Sequence, residues 1–352
     1  IGPHVNAFEE KFAEYIGIKH AIACSNGTSA LHISLILCGV EVEDEVLVPN
    51  LTFVAPLNAV RYCGAYPVML DSDWSTFGID VNKLSDFLKN ETYFHEGYSY
   101  NQLTKRRIKA IIPMHALGYP VDMDPLNELC SKSHIDVIED ATESLGSLYK
   151  GKKTGRFSRI ACFSFNGNKI MTTGGGGMLV TDDPALARRA KHLTTTAKID
   201  PVQYDHDEVG YNYRMVNVLA AIGLGQLEQM DDFVKTKRRN LEIYRTYISE
   251  IEGLSIHTET WHSDSNYWMF SLVLRKDFKY SVRELVAIFA EKKIQTRPIW
   301  KQMNTLPMFS ECQSYKCEVS KEIYDQVLSL PSSTNLTEEE IIRVVNVLKN
   351  LK

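Results

Sequence analysis

The sequence predicts an α/β fold: a large, mostly parallel sheet with helices on both faces, followed by a smaller C-terminal α/β domain. Short apolar runs alternate with helical segments from Ala21 to Thr181. Those runs are apolar throughout, not at every second residue, which marks strands buried on both faces. The chain has 352 residues, enough for two domains with a substantial core.

Each element has its own signal. Val5, Phe8, Phe12 and Tyr15 share one helical face, and Ala21–Cys24 follows as a strand. Gly27–Leu37 reads as a helix, Glu45–Val48 as a strand, Phe53–Tyr62 as a helix and Pro67–Leu70 as a strand. Ile108–Pro113 and Ile135–Glu139 are apolar strands separated by a helical segment over Met123–Ser133. Ile160–Phe165 and Gly177–Thr181 complete the strands of the large domain. From 216 to 251 the pattern is helical throughout, apolar in its first half and charged in its second, as a bridge between domains would be. The large domain is therefore set at residues 1–235 and the small one at 236–352. The latter holds Ser255–His257, an aromatic strand at Tyr267–Leu274, a helix over Val282–Lys292 and a terminal helix over Glu338–Leu351. Glu338, Glu339 and Glu340 after Thr337 complement the dipole of that last helix.

Bulk properties narrow the function classes. A net charge of −5 gives no electrostatic case for nucleic acid or an anionic membrane. The triplets Lys105-Arg106-Arg107 and Lys237-Arg238-Arg239 read as solvated faces. Seven cysteines, odd in number and without paired spacing, argue against a disulfide framework and for a reducing, cytoplasmic setting. No CxxC or HExxH pattern points to a metal, and no apolar run reaches the length of a membrane span. The chain opens on Ile1 without a signal-peptide pattern, and the natural N-terminus is expected upstream.

The chemistry centres on Lys169, which lies between two apolar strands and just before the glycine run Gly174–Gly177. A lysine on so tight a connection can hold an aldehyde cofactor as a Schiff base and later move protons with the freed amine. A plain hairpin turn is the competing reading. Asp140 ends an apolar strand, where a carboxylate faces the crevice at the carboxyl edge of the sheet and can keep a pyridine nitrogen protonated. It could equally cap the segment that follows. Ser25-Asn26-Gly27-Thr28-Ser29 joins a strand to a helix, whose free first-turn amides suit a phosphate as well as a capping side chain. Phe53 follows another strand end and offers a flat ring for stacking, or simply packs in the core.

Taken in order, Asn26-Gly27-Thr28-Ser29-Ala30-Leu31, Thr52-Phe53-Val54-Ala55, Glu139-Asp140-Ala141, Ser164-Phe165 before Lys169, the glycine run and Gly210-Tyr211-Asn212-Tyr213-Arg214 resemble the DegT/StrS-type nucleotide-sugar aminotransferases. The resemblance implies the aspartate aminotransferase fold (fold type I), pyridoxal 5′-phosphate (PLP) as cofactor, and a homodimer with shared active sites. It makes Lys169 the Schiff-base lysine, places Asp140 on the pyridinium nitrogen and lays Phe53 over the ring. Gly27, Thr28 and Ser164 would bind the cofactor phosphate, and Asn212 that of the neighbouring subunit. Glu143 stands where the family often has Gln or His beside the cofactor hydroxyl. The loops Phe163–Lys169, Thr194–Lys198 and His206–Arg214 look most like the enzymes acting on UDP-linked 4-keto-6-deoxy-N-acetylglucosamine in bacillosamine or legionaminic acid synthesis, with L-glutamate as donor. His115, Arg214 and Arg297 are then candidate sugar or diphosphate contacts, with a buried or surface structural role as the competing reading of His115 and Arg297. The alternatives are an aminotransferase for another sugar nucleotide, such as GDP-4-keto-6-deoxymannose, and a noncatalytic PLP-binding regulator.

Overall fold

The computed structural model describes residues 2–200 and 202–351. Its main sheet runs in the order His20–Cys24, Gly177–Thr181, Ile160–Ser164, Asp136–Asp140, Arg107–Ile111, Glu45–Pro49, Tyr66–Leu70 and Ser314–Tyr315. Only Gly177–Thr181 opposes the others in this row, because it pairs antiparallel with both neighbours while every remaining pair is parallel. All the other strands therefore deliver their carboxyl ends to one edge. A hairpin, Thr92–His95 with Tyr98–Asn101, extends the sheet beside Arg107–Ile111.

Both faces are covered, as the continuous apolar runs require. Successive residues of Ile160–Ser164 go to opposite faces: Ala161 and Phe163 join one core cluster, Ile160 and Cys162 another. On the first face Phe12 of the helix Pro3–Ile16 meets Phe163 edge-on at 5.1 Å and Phe165 at 5.4 Å. Both rings are fully buried, and truncation of Phe163 to Ala would cost about 3–5 kcal/mol. On the second face lies the helix Gly27–Leu37, capped by Asn26, whose side chain accepts from the Ser29 amide at 2.7 Å.

Beyond residue 250 the strands Leu254–Ile256, Phe270–Leu274, Val327–Leu330 and Arg297–Pro298 form a separate antiparallel sheet. Helices Val282–Glu291 and Glu338–Lys349 accompany it, each opened by a capping box, Ser281 with Glu284 and Thr337 with Glu340.

Three expectations change. The helix expected from 216 to 251 is two, Asn217–Leu227 and Met230–Ile248, separated at Glu228 and Gln229. The first packs on Pro3–Ile16 so tightly that a Cβ on Gly223 would lie 2.8 Å from the Phe8 ring; the second packs on Glu338–Lys349. One straight axis does not serve both neighbours. The aromatic strand starts at Phe270, not Tyr267, because Tyr267 takes a left-handed φ of 48° and Ser265 and Asn266 bond the amides of Tyr267 and Trp268. Residues 303–317 return to the main sheet, where Ser314–Tyr315 pairs with Met69 and Leu70, so the small domain is not one uninterrupted stretch.

Candidate functional site

Parallel pairing gathers the sequence candidates at one edge. Asp140 and Ser164 end neighbouring strands, with Asp140 level with Cys162. Cys24 ends another and leads into Asn26 and Gly27, and Lys169 lies on the connection after Ser164. Gly177 must be a glycine here. Its pairing with Cys24 and Ser164 brings it against the Asn26–Gly27 backbone, where a Cβ would fall 2.5–2.7 Å from three main-chain atoms. This close approach is to the chain's own strand-to-helix turn. Gly174 and Gly176 supply the positive φ values, 82° and 119°.

Gly27 opens its helix, and its first-turn amides lack intrahelical acceptors. A Cβ there would meet Ser164 Cβ at 3.0 Å and Thr142 Cγ2 at 3.3 Å, so Gly27, Thr142 and Ser164 converge. Amides, the partly exposed Thr28 and the Ser164 hydroxyl make a cradle suited to a phosphate.

Lys169 Nζ lies 3.2 Å from Glu143 Oε1, and its side chain is 12% exposed against 1% for the carboxylate. The other oxygen, Oε2, accepts the Leu117 amide at 2.9 Å. Burial pushes the Glu143 carboxyl up to about 7, opposed chiefly by the Lys169 charge and the Leu117 amide. Burial also raises Asp140, with Thr142 opposing it; the Thr142 amide donates to Oδ1 at 3.0 Å. Asp140 therefore does cap the following turn. A lysine amine, a buried carboxylate at a strand end and an anion cradle fit the three functional groups of PLP: its aldehyde, ring nitrogen and phosphate. Phe53 is 55% exposed at this edge, so its ring face is not consumed by the core.

The remaining candidates divide. Asn212 and Arg214 are exposed, while Tyr211 and Tyr213 between and beside them turn inward and stack at 5.1 Å against the second core cluster. Extended alternation thus aims Asn212 away from its own chain. Arg297 is exposed on a short strand of the small sheet. His115 corrects the sequence reading: it is wholly buried, its Nδ1 accepts the Val121 amide at 3.0 Å, and its Nε2 faces Glu139 Oε1 at 2.8 Å. No ring nitrogen is left for a substrate, so His115 braces the strand ends beneath the site. Among the described residues His192, Asp207 and Glu208 could together hold a cation, yet Glu208 is engaged by Arg189 and Asp207 by His192.

Trp268 was missed. Its ring centroid lies 4.0 Å from Lys169 Nζ, and Asn266 beside it donates to the carbonyls of Glu143 and Leu145 at 2.9 Å each. The polar pair Ser265-Asn266 ahead of an apolar run is a turn signal that could have separated Trp268 from the strand.

Fold and site define a pyridoxal phosphate-dependent aminotransferase of fold type I. The chain belongs to the DegT/DnrJ/EryC1/StrS aminotransferase family, whose model matches residues 1–349. It is 39% identical over 343 residues to GDP-perosamine synthase of Escherichia coli O157:H7, covering 97% of this chain and 88% of that protein. It is 30% identical over 351 residues to UDP-2-acetamido-2-deoxy-3-oxo-D-glucuronate aminotransferase of Pseudomonas aeruginosa, covering 99% and 91%. Among solved structures, S. venezuelae DesV in complex with a ketimine intermediate superposes with a TM-score of 0.87 at 26% identity, covering 99% of this chain and 89% of that one. Among the described residues no helix is long and apolar enough to cross a membrane.

Proposed function

We propose that this protein transfers an amino group from L-glutamate to C4 of a nucleotide-linked 4-keto-6-deoxy sugar. The observation that carries the reading is Lys169, held 3.2 Å from buried Glu143 at the same sheet edge as Asp140 and the Gly27–Ser164 cradle. PLP, when bound, supplies a ring that accepts the electron pair released at the donor's Cα. The chain's own groups do the rest. Lys169 Nζ anchors the cofactor, is freed by the incoming amine and then carries the Cα proton. Asp140 holds a proton at the ring nitrogen, and Glu143 Oε1 orients the lysine amine. Phe53 covers the ring, while Gly27, Thr28 and Ser164 bind the phosphate. Asn212, turned outward, reaches the phosphate of a second subunit in a homodimer, and Arg214 and Arg297 serve the sugar nucleotide.

Two nucleotides have separate support. The 39% identity to GDP-perosamine synthase favours GDP-4-keto-6-deoxymannose. The loops around Lys169 and Asn212 favour UDP-2-acetamido-2,6-dideoxy-4-ketohexose, the sugar of bacillosamine and legionaminic acid synthesis. Similarity along nearly the whole chain outweighs short loops, so the GDP sugar is the first choice. Purified protein with glutamate and each keto-sugar in turn, the product identified by mass and NMR, tests this. Amination of neither sugar, or at a carbon other than C4, overturns it. Stoichiometric conversion of glutamate to 2-oxoglutarate by the PLP-loaded protein without sugar, its amino group passing to the cofactor, excludes a noncatalytic regulator.

A further inference from the structure

Trp268 has no role in the site assembled from the sequence, yet every polar atom it carries is committed. Its indole N–H donates to the carbonyl of Asn168, the residue before Lys169, at 2.8 Å. Its backbone N–H donates to Asn266 Oδ1 at 2.8 Å. Its carbonyl accepts from Lys237 Nζ at 2.7 Å and from Ser332 Oγ at 3.0 Å. An indole in an ordinary core needs one partner, for its single donor. This one is fixed at ring and backbone, and its face lies 4.0 Å from the Lys169 amine.

The same anchor controls both groups that touch Lys169. The Asn266 carboxamide oxygen receives the Trp268 amide, and its NH₂ donates to the Glu143 and Leu145 carbonyls. One side chain thereby sets the spacing between the carboxylate and the indole that bracket the amine. Lys237 adds a constraint from behind. It is 4% exposed, lies on the helix Met230–Ile248 and has no carboxylate partner among the described residues. Trp268 O thus accepts from both the bridging helix and Ser332.

We propose that Trp268 is a positioning residue for Lys169, clamping the amine against Glu143 and linking it to the small domain through Lys237 and Ser332. The inference rests on the reading of Lys169 as the cofactor-bonding lysine. Trp268→Leu removes the ring face; Trp268→Phe keeps it and loses the bond to Asn168. The first readout is the rate at which apoprotein bonds PLP, followed by the absorbance band that Lys169→Ala must lack. We expect Trp268→Leu to slow this capture and to lower kcat for the glutamate half-reaction by about tenfold, with KM within about twofold, and Phe to restore most of both. Capture at the wild-type rate by folded Trp268→Leu, or a Phe variant no better than Leu, overturns the proposal. Should Trp268→Leu not fold, the difference in emission between wild type and Trp268→Phe isolates the indole. PLP capture must quench that emission, and an unquenched indole overturns the proposal. A band that survives Lys169→Ala instead defeats the reading of Lys169 itself.

Discussion

Trp268 separates two lysines, Lys169 partly buried and Lys237 buried, that the fold treats differently. Lys169, on its ring side, meets a carboxylate at 3.2 Å and opens toward the sheet edge. Lys237, on its carbonyl side, meets among the described residues the Trp268 carbonyl at 2.7 Å, with the Phe270 ring at 5.5 Å. Burial alone drives the Lys237 amine down to about 7, whereas beside Lys169 it is the Glu143 carboxyl that burial raises to about 7. The lysine proposed to do the chemistry is given a buried carboxylate as its partner. One that must only hold a backbone carbonyl can go neutral.

The largest test of that contrast is removal of each amine. Lys169→Ala is expected to lower turnover by at least about 10³-fold while leaving the protein folded, since the side chain is not core packing. Steady-state rates together with a melting curve decide it; turnover near the wild-type value would end the catalytic assignment.

An intermediate effect is expected from Glu143→Gln. In the native protein the carboxylate is charged above about 7 and neutral below, so its attraction for the positive charge that a Schiff-base nitrogen at Lys169 would carry is lost as pH falls through that value. PLP affinity, titrated by absorbance at several values between pH 6 and 8, should weaken toward the acid end by up to about tenfold in wild type. A glutamine does not titrate, and its profile should be flat. Parallel profiles for both proteins would mean that Glu143 does not govern the amine.

The smallest effect is on stability. The Lys237 amine falls from its ordinary value near 10.5 to about 7 on folding, so between these limits the unfolded chain binds the extra proton. Stability therefore rises with pH across this window, and the penalty of burying the amine is fully felt below it. Lys237→Met should melt higher than wild type at pH 7, by up to about 4 kcal/mol of stability, with the gap closing toward pH 10. A gap independent of pH would show that Lys237 is charged in its pocket.

Much of this was legible in the sequence where the signal is local. Buried strands announce themselves as apolar runs, and Asp140, Ser164 and Gly27 each stand at a strand-to-turn junction. What escaped depends on distant partners. Trp268 looked like the start of a strand because nothing nearby in sequence reveals that Asn266 bonds Glu143 and Leu145, more than 120 positions away. His115 looked free for a substrate because its partner Glu139 lies one strand over. The bridging helix looked continuous because its break is imposed by two different packing partners, with no proline to mark it.

By itself, then, the amino-acid sequence determined the alternating elements, the cofactor class and the family. These follow from periodicity and from residue types at strand ends, which short stretches of chain encode. Only the tertiary structure decided which groups bracket Lys169, that His115 is a brace and that Lys237 supports Trp268. Burial and hydrogen-bond partnership are properties of the packed interior, and no single segment carries them.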